Sequence, residues 1–444
     1  MPRIAPISLI CPGFLKPHHN RNRDSDDFAA HRPRRRQPRG AREFLCEDKP
    51  VPLELRTAQS ANLSPRADAP IEWWFVQGSL DDPDGESLHF MTAFFQVRGT
   101  DGSSTPGHML LANVMDSANG NTATISRVTG EIVRTHESIA RRFAEAHLDP
   151  RISGLALKHH MRHAMAAARR LGVEIAVTPA RVSGDPLQID WHDFTLSQKA
   201  DEVLLRLPIG RHKEIANLRL SPERSWLCEE GSRLDPAMSP RFFYLSCPRL
   251  SVSGDIGGRS VSGRAWMDRQ WGTFDGWLVA DADGIVRLLG WDWLGLSFDS
   301  GHDLLVMRHQ LVGFGPCGDG FAVIFDATTV GRARGRFSDQ ATRHWTSPRT
   351  GIVYPLNRRL LIPGISVEIE VAPLAEDQEI PVFGTTAIWE GAVSAEGTIA
   401  GRKVRGLGRL ELFGYGYTNT VRRYLARLIR RDFGELPGRT SQLS

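Results

Sequence analysis

The sequence predicts an all-β fold of the sandwich or barrel kind, broken by one helical stretch and ended by another. Three observations predict it. Short runs rich in β-branched and aromatic residues recur along most of the chain. Turn pairs such as Asp84-Gly85, Asp283-Gly284, Ser300-Gly301, Asp319-Gly320 and Glu396-Gly397 fall between them, as meandering hairpins require. Helical periodicity shows in two places alone.

Residues 1–58 come first and read as a disordered basic segment. Arg32-Pro33-Arg34-Arg35-Arg36-Gln37-Pro38-Arg39 is its extreme, and large apolar side chains are few. From about residue 71 the pattern turns to β. Ser87 to Val97 lies between two Asp-Gly turns, followed by His108 to Met115, Val173 to Val182, Leu187 to Leu196, Glu202 to Leu207 and Phe242 to Ser253. After Trp271 come Ile285 to Leu296, Asp303 to Val312, Phe321 to Asp326, Ser366 to Val371, Thr386 to Ser394 and Lys403 to Phe413. The helical insertion covers roughly 137–171. At the end, Val421, Tyr424, Leu425, Leu428 and Ile429 form an i, i+3, i+4 stripe among arginines. Two readings of that basic amphipathic helix stand: it makes peripheral membrane contact, or it docks on the last strands with its arginines in water.

Composition narrows the function classes. Hydrophobic residues make up 41% and charged residues 24% of 444, as in an ordinary soluble globular protein. A formal net charge of +4 gives no ground for a nucleic-acid partner. The five cysteines, Cys11, Cys46, Cys228, Cys247 and Cys317, are widely spaced and include no C-x-x-C, so neither a disulfide framework nor a zinc site is indicated. Cys228 and Cys247 would be free to pair in an exported protein. No apolar run reaches the length of a membrane span, and the Ile4 to Leu15 stretch is interrupted by Pro6, Pro12 and Gly13, which suits a signal peptide poorly. A cytoplasmic location is expected.

The chemistry-bearing pattern is tryptophan beside an acid. Eleven Trp are present, and Glu72-Trp73-Trp74, Asp190-Trp191, Trp266-Met267-Asp268-Arg269-Gln270-Trp271, Trp291-Asp292-Trp293 and Trp389-Glu390 all pair indole with carboxyl. A carboxyl beside indole loses water, so its charged form is disfavoured and it becomes a proton donor near neutrality. Indole faces also attract cations. The bland alternative is that each Trp packs a β core while each acid satisfies buried donors. In a strand, Trp266, Asp268 and Gln270 share one side, Trp291 and Trp293 share another with Asp292 opposed, and Glu72 shares a side with Trp74. A barrel interior showing Trp266, Asp268, Trp74 and Glu72 would be an apolar pocket with a few perturbed acids.

Other motifs carry less. Gly313-Phe314-Gly315-Pro316-Cys317-Gly318 matches G-x-G-x-x-G but links two strand-like segments, so it reads as a hairpin loop and not a dinucleotide site. His159 and His163 have i, i+4 spacing without a Glu between them, which fits a basic solvated face better than zinc. No G-x-S-x-G occurs.

Four ordered segments resemble the carotenoid 1,2-hydratase / AttH-like lipocalin family. They are Glu72-Trp73-Trp74-Phe75, Gly263 to Gly272, Gly290-Trp291-Asp292-Trp293, and Trp389 to Val393 with Gly406 to Tyr415. The resemblance spans about residues 65–417. It implies two lipocalin-like antiparallel barrels packed together, at 59–273 and 274–418, with 419–444 as the basic tail. It implies chemistry without cofactor or metal on a hydrophobic alkene, isoprenoid or polyketide, by hydration or cyclisation. Asp268 matches the acid of the hydratase branch, whereas Trp266 stands where that branch has Tyr, and Arg241 to Tyr244 lacks its upstream His. Asp268 is thus the expected general acid. Glu72 is a candidate base or orienting group, with a structural role standing equally open. Trp74, Trp266, Trp271, Trp291, Trp293, Trp389 and Tyr244 are expected around a hydrophobic small molecule. A carrier that binds an apolar metabolite without chemistry is the alternative the same residues allow.

Overall fold

Ile71–Asp81 is buried on both faces along most of its length, and so are residues 265–270 of its neighbour Arg259–Gly272, whose first half keeps a solvent-facing side. The computed structural model describes residues 56–416 except 82, 84, 86, 99–104, 210–213, 231–241, 273–277, 281–285, 312–314, 327–329 and 334–336. The basic N-terminal segment and the terminal helix therefore lie outside the described residues.

The all-β expectation holds, in the form of two curled sheets, each bent into a half-barrel. The first runs, strand by neighbouring strand, Thr122–Thr129, Gly107–Asp116, Ser87–Val97, Ile71–Asp81, Arg259–Gly272, Phe242–Ile256, Glu214–Pro222, Glu202–Ile209, Phe194–Lys199 and Gln188–Trp191. The second runs Val330–Ala333, Gly315–Phe325, Asp303–Leu311, Val286–Phe298, Arg402–Phe413, Thr386–Ile399, Val367–Pro373, Val353–Ile362 and Ser338–Thr346. In each half the first long strand pairs with the last: Ile71–Asp81 with Arg259–Gly272, and Val286–Phe298 with Arg402–Phe413. That shared plan is what duplication of one β block would leave.

Each sheet curls around its own apolar core. Trp74, Phe94, Trp191, Phe194 and Met267 fill the first, and Phe298, Tyr354, Trp389 and Leu412 the second. A third cluster, with Phe75, Tyr244 and Trp266 from one half and Trp293, Phe325 and Ile388 from the other, lies at the seam between them. The central strands serve two cores at once, one on each face.

Arginine and aspartate also cross the seam. Arg249, on Phe242–Ile256, donates from Nε (3.1 Å) and Nη2 (2.8 Å) to the fully buried carboxylate of Asp303, and Arg224 lies 3.1 Å from the same group. Arg224 further donates to the carbonyls of Gly301 and Asp326.

The insertion is a helical hairpin, α1 (Gly130–His147) and α2 (Pro150–Leu171), beginning earlier than the periodicity indicates. Asp149 caps α2 by accepting from the Arg151 amide, Pro150 opens it, and Gly172 ends it in the left-handed conformation at φ 80°. Ile132, Ala164 and Ala168 pack with Phe383 of the second half. His160 reaches His136 (Nε2 to Nε2, 2.8 Å), and the His159 and His163 rings meet edge to face at 4.3 Å.

Three local readings change. Val173 to Val182 is not one strand but two short ones, Glu174–Ala176 and Arg181–Ser183. Leu187 to Leu196 folds into a hairpin, because His192 takes a positive φ of 57° and turns the chain. Thr122–Thr129 and Ser338–Thr346 are strands whose polar sequences carry little signal; most of Ser338–Thr346 is solvent-facing. The Gly313 to Gly318 run meets the hairpin of Asp303–Leu311 with Gly315–Phe325, a strand-to-strand link, although 312–314 are outside the described residues. Cys228 and Cys247 are free thiols, and Cys247 is buried.

Candidate active site

The seam opens into a partly enclosed cleft. Its first wall is Trp73, Phe75, Met91, Phe95, Phe242, Asp268 and Gln270. Its second is Trp291, Trp293, Met307, His309, Glu390 and Glu411. The lining is aromatic and aliphatic with a few carboxyls, which is how small-molecule sites are built.

Strand parity decides which Trp–acid residues reach it. Arg259–Gly272 runs beside Ile71–Asp81 with Asp268 opposite Phe75 and Gln270 opposite Trp73, so these four share the seam face. Glu72 and Trp74 point the other way, into the first half. The expected grouping of Glu72 and Trp74 with Asp268 is therefore corrected by one residue: Trp73 and Phe75 stand at the cleft.

Asp268 is buried and held by three donors. Tyr244 Oη donates to Oδ2 (2.6 Å), while Ser246 Oγ (2.6 Å) and Trp266 Nε1 (2.8 Å) donate to Oδ1. The indole bond is a direct product of sequence, since residues two apart in a strand lie side by side on one face. Burial pushes the Asp268 carboxyl up to about 6 from an ordinary 3.8, and the hydrogen bonds from Ser246, Tyr244 and Trp266 hold it from rising further. Burial, then the neighbouring Asp268, keep the Tyr244 phenol well above 10, so it remains a donor. Tyr244 reaches Asp268 from the adjacent strand, Phe242–Ile256.

Trp291 and Trp293 are both on the cleft. Trp291 stacks on Phe413 at 4.3 Å and donates to Glu411 Oε1 at 2.8 Å, and Trp293 meets Phe75 edge-on at 5.4 Å and Trp266 at 5.8 Å. Trp293 folds back along its own strand over Gly295, where an added Cβ would lie 2.4 Å from the ring. Gly295→Ala must push a packed indole into the cleft. We expect a loss of about 1–3 kcal/mol, read as a lower denaturation midpoint together with altered Trp fluorescence.

Other expected residues have structural places. Glu72, fully buried, takes hydrogen bonds from Gln96 (2.8 Å), Arg98 (3.0 Å), the Arg66 amide (2.8 Å) and Arg269. Trp74 donates to the Leu63 carbonyl and lies under the Arg269 guanidinium at 4.1 Å. Trp271 stacks on Phe243 at 5.2 Å, on the face opposite Asp268. Trp389 sits in the second core and donates to the Glu376 carbonyl, so its neighbour Glu390 is what reaches the cleft. Trp266 lies beneath the acid as support. Asp292, opposed to Trp291 and Trp293 as expected, is pinned inside the second half by Arg358 (2.6 Å), Tyr415 (2.9 Å) and Gln310 (2.9 Å).

Sequence reading missed Glu411, His309 and the cleft-facing side of Trp73. Glu411 sits in Leu410-Glu411-Leu412, an alternation that reads as a half-wet strand. Only its ladder partners, Trp293 on one side and Glu390 on the other, bring it to the site. Burial first, then mutual repulsion, raises Glu390 well above the usual carboxyl range; burial and Asp268 raise Glu411.

The model of the AttH-like family matches residues 56–415. A solved structure of an AttH protein from Nitrosomonas europaea is 24% identical, with 79% of this chain and 95% of that one covered at a TM-score of 0.56. That likeness is one of fold. Kievitone hydratase from Nectria haematococca is 11% identical over 82% and 97%, at 0.49. CghA is 11% identical over 84% and 96%, at 0.42. No protein among the curated ones matches the chain.

Proposed function

The chain belongs to the AttH-like family, and from that premise we propose that it is a cofactor-independent enzyme that protonates a hydrophobic alkene in the seam cleft, giving hydration or cyclisation. One observation carries the reading: a buried carboxyl, raised to about 6, opens on a cleft walled by Trp73, Phe75, Trp291 and Trp293. Asp268 gives its proton to one alkene carbon, forming a C–H bond and leaving a cation at the other. The indole faces shelter that charge. Water then adds and returns a proton to the Asp268 carboxylate; in cyclisation, a second double bond of the same molecule attacks the cation, and the new cation loses a proton from an adjacent carbon to the Asp268 carboxylate, leaving a ring with a double bond. Tyr244, Ser246 and Trp266 position Asp268 and steady its anion after the transfer. The substrate class, isoprenoid or polyketide, rests on the apolar lining and on the family resemblance.

Because the working form is the protonated one, turnover should fall as pH rises through about 6. The test is incubation with terminal isoprenoid alkenes and polyketide polyenes in H₂¹⁸O, with products read by mass spectrometry across pH. A labelled alcohol or a cyclised isomer whose yield falls above that pH supports the reading. Recovery of every compound unaltered, together with tight binding, would replace it with the carrier.

A further inference from the structure

Two carboxyls of the second half remain unused by this chemistry. Glu390 and Glu411 are directly opposite each other in the ladder of Thr386–Ile399 with Arg402–Phe413, and both line the cleft. Like charges in that position destabilise a sheet, and burial makes the pairing worse. Relief is partial: the buried Arg409 charge acts on both carboxyls, and one indole N–H reaches Glu411. Glu390 is 1% exposed, and among the described residues its Oε1 has no hydrogen-bond partner. Glu411 Oε1 receives the Trp291 indole N–H. Arg409, on the same face, gives its Nη1 to the Glu390 backbone carbonyl and not to its carboxylate, and its Nε is unpartnered. A buried carboxylate oxygen left open in this way can take a donor or a cation.

The surroundings choose between those. The cleft that the pair lines is also walled by Trp73, Phe95, Trp291 and Trp293, aromatic rings that attract positive charge and offer little to a hydroxyl. We infer that Glu390 and Glu411 form the counter-ion for a lipophilic organic cation held in the cleft: a positive charge on an apolar carbon frame, with Asp268 on the facing wall. The charge can arrive ready-made, as in an alkylammonium ligand. It can also be generated in place, and only that origin rests on Asp268 acting as proton donor. Counter-ions placed where charge develops, in a site that excludes water, are among the strongest contributors to catalysis.

The titrating and charged groups facing the pair are Asp268, His309 and Arg409, with the Tyr244 phenol held protonated behind Asp268. Burial and mutual repulsion keep a proton on the pair near neutrality, so a cation entering the cleft expels it.

The experiment uses the full chain and two probes of similar length, octyltrimethylammonium and octanol, with binding followed by Trp fluorescence. The quaternary probe cannot titrate. Wild type should bind the cation at least about tenfold more tightly than the alcohol, more so as pH rises, with proton release measured by calorimetry in buffers of different ionisation enthalpy. Glu390→Gln and Glu411→Gln should each lose the preference while keeping octanol affinity, which shows the cleft intact. Glu411→Asp should keep it. Asp268→Asn should retain the cation preference even though turnover is lost. Equal affinity for both probes in wild type, or a preference that survives both Gln variants, overturns the inference. Loss of preference in Asp268→Asn overturns it as well, by making Asp268 the counter-ion. Unchanged turnover in Asp268→Asn would instead sink the proton-donor reading and leave the binding result standing.

Discussion

Asp268→Asn is expected to slow turnover by about 10²–10⁴-fold, the usual worth of a general acid, while making the protein more stable. The amide keeps the shape and can still accept from Ser246 and Trp266, so the cleft should be preserved. The stability gain follows from the carboxyl's own discomfort. Its folded value of about 6 is above its ordinary 3.8, so folding favours the protonated form. The group's contribution is therefore complete below pH 4 and is lost as pH rises through 6. At pH 7 the ionised group costs about 3 kcal/mol, of which Asn should recover about 1–3 kcal/mol. The check is a pair of denaturant titrations at pH 7 and pH 4, with turnover measured alongside. The variant's advantage should shrink at the lower pH. A variant that is slow and also less stable at pH 7 would mean that the amide has disordered the site.

Asp303→Asn should cost about 3–5 kcal/mol, a heavier loss than Gly295→Ala brings. The carboxylate is fully buried between Arg249 and Arg224, and a neutral amide leaves two guanidiniums sharing a site without an anion. Both arginines belong to the first half and Asp303 to the second, so the change loosens the seam itself. Thermal unfolding followed by near-ultraviolet circular dichroism and by far-ultraviolet circular dichroism should give coincident midpoints in wild type, because the seam cluster is a core common to both halves. The variant should unfold at lower temperature. A midpoint unchanged from wild type would show that the cross-seam pair merely offsets its own desolvation.

Much of this molecule was legible in the sequence, and what was not has physical causes. The turn pairs and β-rich runs carry the fold class because local chemistry decides them. Asp268 was legible because Trp266 and Asp268, two apart in a strand, must be neighbours. The face was not legible: where both sides of a strand are buried, Glu72-Trp73-Trp74-Phe75 offers no polar side to fix parity. Trp73 and Phe75 therefore exchange places with Glu72 and Trp74. Trp389-Glu390 misled in the same way, with the indole in the core and the acid at the cleft. Glu411 was hidden because a Leu-Glu-Leu alternation is what an ordinary surface strand shows, and only long-range pairing buries it. The Trp–acid pattern itself divides by face: Glu72 and Asp292 are tied down inside the halves by arginine and hydroxyl or amide partners, while Asp268 and Glu390 are left at the seam.

The double duty of the central strands has an evolutionary side. Asp268 sits in a stretch, residues 265–270, whose every position is buried against one core or another, so drift there is punished twice. Met91 and Met307, by contrast, enter the cleft from the flanking strands Ser87–Val97 and Asp303–Leu311, away from the acid and its donors. Thioether side chains adapt to many shapes and exchange with Leu at little cost. Substitutions on the flanks can therefore reshape the cleft while leaving Asp268 and its three donors in place.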